Sequence, residues 1–206
     1  PVEIEGKTYR FILDTGGALA VSTALQEQYS FEQVAVATVV GINNLSKKVP
    51  YVKVPSVRLG SLEFSNYKAI VSDYSEYPLS CLAADGIIGR DFLRDLILEL
   101  NLPEKKIKLS DNPLKVNLPK KGEIPVKIQR KSSLPYIKVE VAPFGKEWAV
   151  FDSGSDDLFS FKTKTIEKLR QKAKFRKHPV ETYFGVTSLG SSGIIPKPMA
   201  SYTTYI

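Results

Sequence analysis

The feature that most constrains this chain is an ending used twice. Phe11-Ile12-Leu13-Asp14-Thr15-Gly16 and Ala149-Val150-Phe151-Asp152-Ser153-Gly154 are each an apolar run closing on a carboxylate, a short hydroxyl residue and a glycine. Ending a strand built for burial on a charge is costly unless the charge finds partners. A chain that does so twice, with the same residue types following, reads as two copies of one device. The likeness extends upstream, where Gly6-Lys7 and Gly145-Lys146 each precede the returning strand. The order strand, Gly-Lys turn, strand, Asp, hydroxyl, Gly, short strand, helix therefore occurs twice. Two carboxylates brought together can share one proton, leaving one as general base and the other as general acid.

Asp-Thr-Gly and Asp-Ser-Gly behind apolar strands resemble the active-site loops of aspartic proteases, the pepsin and retroviral-protease clan. Asp85-Gly86-Ile87-Ile88-Gly89-Arg90-Asp91-Phe92-Leu93 resembles the apolar-apolar-Gly segment that follows each catalytic loop in that clan. The resemblance covers most of the chain, is strongest at 9–17, 85–93 and 145–155, and points most closely to bacterial relatives with two lobes. It implies an all-β fold of two retropepsin-like barrel lobes related by a pseudo-twofold axis. It implies peptide or protein substrates, catalytic roles for Asp14 and Asp152, and loop bracing by Thr15, Gly16, Ser153 and Gly154. One departure stands out: Gly17 follows the first triplet, where the family often has Ala, Ser or Thr.

The pattern along the chain fills in this outline. Val2 to Glu5 and Tyr9 to Leu13 form a hairpin turning at Gly6-Lys7, Ala18 to Ser22 a strand, and Thr23 to Gln28 a short helix. Strands from Val34 to Val40 and Val49 to Val54 flank turn residues at Gly41-Ile42-Asn43-Asn44, where clan members carry the flap that closes over substrate. Gly41, Ile42 and Asn43 are thus candidate substrate contacts. A separate hairpin covers Val57 to Phe64, a strand Tyr67 to Ser72, and Asp91 caps a short helix through Leu96. Ile97 to Leu100 and Lys106 to Leu109 make a last hairpin, closing a lobe over 1–110. Residues 111–122 read as a linker and 123–206 as a second lobe.

In that second lobe Ile124 to Ile128, Ile137 to Val141 and Trp148 to Phe151 read as strands. Ile166, Leu169 and Ala173 share one face of a basic helix over 165–173. The segments around Gly185 to Gly193 form a flap-equivalent hairpin, making Gly185 and Val186 candidate contacts. Gly89 follows Asp14 by 75 positions, so the matching glycine of the second copy belongs near 227, beyond Ile206. The second lobe is expected to be incomplete as given, through trimming, a disordered tail or a strand from another chain.

Other chemistries fit less well. His178 is the one histidine and lies in a basic run, so a Ser/His/Asp or Cys/His site is not expected. Cys81, the lone cysteine, excludes an internal disulfide and reads as a small buried apolar residue. Zinc would require more His and Cys. Asp152, Asp156 and Asp157 cluster acidic oxygens, but the glycine and terminal glutamate of an EF-hand loop are missing. No metal and no cofactor are expected. The glycines of 185–193 lack the Gly-Lys-Ser/Thr of a phosphate loop.

A net charge of +7 reads as a solvated basic surface rather than a nucleic-acid site. No segment approaches the roughly 20 apolar residues of a membrane helix, so a soluble chain is expected. The start at Pro1 suggests processing and, with it, a periplasmic, extracellular or cell-surface location. A monomer is expected. A homodimer active through one lobe, or an inactive peptide- or cell-wall-binding module that keeps the fold, are the alternatives.

Overall fold

Two short strands and the end of a longer one, buried on both faces, form the middle of the main sheet. In the computed structural model the described residues are 1–40, 46–75, 79–116, 124–141, 145–155, 175–177, 183–186, 196–199 and 202–204. Chain order begins with β1 (Val2–Ile4), β2 (Lys7–Tyr9), β3 (Phe11–Asp14), β4 (Ala20–Ser22), α1 (Thr23–Tyr29), β5 (Glu32–Val40), β6 (Ser46–Leu59) and β7 (Leu62–Ser72). It continues with β8 (Gly86–Gly89), α2 (Arg90–Leu93), β9 (Ile97–Asn101) and β10 (Lys106–Ser110). An eight-stranded sheet runs β2-β1-β6-β7-β4-β8-β3, with β5 paired to β6.

β4, β8 and the last four residues of β7 are buried throughout, which is why these stretches show no apolar–polar alternation. Val71, Val21 and Ile88 enter one core cluster, with Val52, Val54, Phe92 and Leu93. Their neighbours Ile70, Ala20 and Ile87 enter a second, with Val49 and Tyr74. Each such aliphatic side chain contributes roughly 1.5–3 kcal/mol by leaving water. Parallel pairing of β3 with β8, in the register Leu13↔Ile88 and Asp14↔Gly89, carries the first aspartate to the end of this slab. The all-β, retropepsin-like fold expected from the sequence is the fold observed.

Several local expectations are corrected. The first hairpin turns at Glu5-Gly6, both with positive φ, and Lys7 already pairs with Ile4. The strands expected at Val49 to Val54 and at the start of the 57–64 hairpin are one 14-residue strand, β6. Its prolines do not break it: Pro50 faces Val36 of β5, which pairs only with β6, and Pro55 falls between the registered pairs Val54↔Tyr67 and Ser56↔Ser65. Asp91 does not cap α2, whose N-cap is Gly89. The Asp91 carboxylate instead accepts from Leu19 N at 2.7 Å and Phe92 N at 3.1 Å, although burial raises its pKa. Cys81 is exposed, not buried, because it sits in a single 3₁₀ turn outside the sheet.

Beyond the β9–β10 hairpin the sheets are smaller. β11 (Val126–Ile128), β12 (Pro135–Val141) and β13 (Gly145–Val150) form an antiparallel three-stranded sheet. β14 (Phe175–Lys177) pairs with β17 (Tyr202–Thr204), and β15 (Tyr183–Val186) with β16 (Pro196–Met199). The helix expected over 165–173, His178, Asp156, Asp157 and the tip residues Gly41, Ile42 and Asn43 lie outside the described residues. Gly185 and Val186 fall within β15, opposite Lys197 and Pro196.

Candidate active site

The Asp14 loop is held from three sides by backbone geometry that its sequence dictates. β3 delivers Asp14, and Gly16 and Gly17 turn the chain so that their amides face the carboxylate. Gly16 N and Gly17 N both donate to Asp14 Oδ1, at 2.9 and 2.7 Å, while Gly17 N also reaches Asp14 O at 3.2 Å. A side chain at 17 would run into the Asp14 carboxyl, which gives Gly17 a local reason.

The Asp152 loop repeats these bonds. Gly154 N donates to Asp152 Oδ1 at 2.9 Å, and Ser155 N to Asp152 O at 3.3 Å. The two loops then exchange hydroxyl contacts in matching pairs. Thr15 Oγ1 donates to Phe151 O at 2.7 Å and accepts from Ser153 N at 3.0 Å. Ser153 Oγ donates to Leu13 O at 2.9 Å and accepts from Thr15 N at 3.1 Å. Thr15 is buried, so losing its partner would strand a polar group.

This cross-bracing brings each carboxyl up against the glycine of the opposite loop. Burial chiefly, then the Asp152 charge and its hydrogen bond, push Asp14 up to about 6, against the opposing pull of the Gly17 and Gly16 amides. The glycines of the triplets are required by approach distance. A Cβ on Gly16 would strike the Asp152 carboxyl, and one on Gly154 the Asp14 carboxyl. Asp14, Thr15, Gly16, Asp152, Ser153 and Gly154 are therefore brought together. Among the described residues no cluster of His, Cys, Asp and Glu is arranged to hold a metal, and no helix is long and apolar enough to cross a membrane.

Sequence reasoning missed Arg90. Its amide donates to Gly17 O at 2.9 Å, and its guanidinium donates to Gly16 O and to Ser132 O. The available signal was its position: a charge directly behind the buried run Gly86-Ile87-Ile88-Gly89 needs partners.

A barrel-like β lobe whose parallel strand pair presents an Asp-Thr-Gly loop to a second Asp-Ser-Gly loop defines an aspartic-protease type of architecture. Residues 1–92 match the family described as aspartyl protease. That stretch contains Asp14 and Ile87-Ile88-Gly89, and the match supports a protease function in general terms. No curated protein and no solved structure matches the chain.

Proposed function

We propose that the chain is an aspartic endopeptidase that hydrolyses peptide bonds with a water activated between Asp14 and Asp152. The observation that carries this reading is the approach of each carboxyl to the opposite loop, where the two triplets meet through reciprocal hydroxyl bonds. Burial and the neighbouring Asp152 charge favour the protonated form of Asp14, so Asp14 is the member assigned the shared proton. Asp152 then takes a proton from the attacking water, and Asp14 donates to the carbonyl oxygen of the substrate. The tetrahedral species collapses with protonation of the leaving amine, so no acyl-enzyme forms. The pair titrates as a unit, because two carboxylates in one site cannot both ionise easily and so share one proton.

In this reading residues 1–110 and 123–206 are the two lobes, joined by 111–122. The hairpins β5–β6 and β15–β16 close over substrate. One chain supplies both aspartates, so a monomer suffices. The test is to incubate the purified chain with a diverse peptide library from acid to neutral pH, beside Asp14→Asn and Asp152→Asn. Cleavage by the unaltered chain alone, falling as pH rises through about 6, is expected. Equal cleavage in all three samples, or none in any, would end the proposal.

A further inference from the structure

We propose that the Trp148 face of the β11–β12–β13 sheet is an exosite that docks an acidic stretch of the substrate polypeptide outside the cleft. The register of the sheet builds the site. Lys127 lies level with Tyr136, Lys138 with Trp148, and Lys146 with Glu140. Residues level with one another share a face, and so do residues two apart on a strand. The three lysines therefore form a diagonal on one face, each one strand over and two positions along from the last. Such diagonal neighbours stand roughly 7–8 Å apart. Alternate side chains of an extended peptide project to one side at nearly the same spacing, roughly 7 Å.

The charge on this face has no answer among the described residues. Lys127, Lys138 and Lys146 are exposed, and none of them makes an ion pair there. Glu140 is the one carboxylate on the face, and it stands level with Lys146 without pairing to it. Lys127 Nζ and Lys138 Nζ lie instead 4.2 and 5.9 Å from the centre of the Trp148 ring. The ring attracts both ammonium groups through its π face, yet gathering two like charges at one ring raises the cost of each. A carboxylate arriving between them relieves that cost. Nearby, Lys138, Glu140 and Lys146 line a hollow of about 290 Å³ with Ile124 and Pro125, which gives room for a second acidic side chain. Lysine supplies every cation of the diagonal, and Lys127 already covers the indole. The surface thus offers neither the guanidinium forks nor the bare rings that suit nucleic acid.

Trp148 is the only tryptophan of the chain, so its fluorescence reports on this face alone. The probes are a peptide with glutamate at alternate positions, the same peptide with glutamine instead, and a single-stranded oligonucleotide. The glutamate peptide is expected to shift the emission saturably and to lose affinity as salt rises. Lys127→Gln, Lys138→Gln and Lys146→Gln are each expected to weaken it by roughly 2- to 5-fold, as for exposed ion pairs. All three together are expected to weaken it by on the order of 10-fold or more. No binding of the glutamate peptide, equal binding of the glutamine peptide, undiminished binding by the triple variant or tighter binding of the oligonucleotide would each overturn the inference. Only the kinetic arm rests on the protease reading. A cleavable peptide carrying the acidic stretch is expected to show a lower KM than its glutamine counterpart, with kcat little changed, and the triple variant to erase the difference. Equal KM values in a chain that cleaves both would overturn the assignment to substrate. Should the unaltered chain cleave nothing, the protease reading falls and the fluorescence titration still decides whether the face docks acidic peptide.

Discussion

The two aspartate loops share their hydrogen bonds but not their foundations. Behind Asp14, β3 pairs in parallel with β8, and β8 is buried along its whole length between two apolar clusters. Behind Asp152, β13 pairs antiparallel with β12, and no second neighbour is recorded for it among the described residues. Ile124, Val126, Ile128, Val150 and Phe151 are exposed there, whereas Ile4, Val52 and Val54 of the first lobe are fully buried. The comparison teaches that loop shape and loop support are separable. The triplets fix the first through amides and hydroxyls, and the second loop draws its support from contacts made across to the first.

The largest effect that sharpens this comparison is chemical. Asp14→Asn and Asp152→Asn should each lower kcat by on the order of 1,000-fold or more, because neither loop's chemistry works alone. Steady-state cleavage of one fixed peptide measures it, and a large residual rate in either variant would break the equivalence of the loops. Stability should instead separate the lobes. Phe92→Ala should cost about 3–5 kcal/mol, whereas Val126→Ala, on a strand with 58% of that residue exposed, should stay within roughly 0.5 kcal/mol. Denaturant unfolding of both variants gives the contrast.

A third effect is tied to pH. The Asp14 pKa is raised in the folded state from 3.8 to about 6, so the native form holds its proton more tightly than the unfolded chain. Stability is therefore greatest below the unfolded value and declines as pH rises through the folded one, by on the order of 2 to 3 kcal/mol. Thermal unfolding across that window should show the decline, and Asp14→Asn should flatten it. The smallest effect concerns the brace. Thr15→Val and Ser153→Ala each remove a hydroxyl that both donates and accepts, and should cost about 1–3 kcal/mol. Thr15→Val should sit at the upper end because Thr15 is the buried member. A larger loss from Ser153→Ala would reverse the ranking of the two loops.

Much of this arrangement was legible in the residues, for physical reasons. Asp14 and Asp152 announce themselves because a carboxylate ending an apolar strand is expensive and rarely duplicated by accident. Ile87-Ile88-Gly89 was legible through its resemblance to the apolar-apolar-Gly segment of the clan, and the structure gives the physical reason for its composition, burial along the whole strand. The 14-residue length of β6 was not legible: the sequence reads as a strand over Val49 to Val54 and a separate hairpin from Val57, and only pairing shows one strand running through Pro50 and Pro55. Asp91 looked like a helix cap, yet its strongest partner, Leu19 N, is 72 positions away in sequence. Arg90 was hidden for the same reason, its acceptor on Ser132 lying 42 positions downstream. Long-range acceptors on backbone atoms leave no trace in residue type.

The reciprocal hydroxyl bonds have a consequence for the life of the chain. Leu13 O and Thr15 N take partners from Ser153, 140 and 138 positions further along the chain. A chain that has not yet received Ser153 lacks these partners, so the first loop is completed only by the second. On the protease reading proposed above, the paired carboxylates then come into being only when both loops are present, which would spare the chain cutting during its own synthesis.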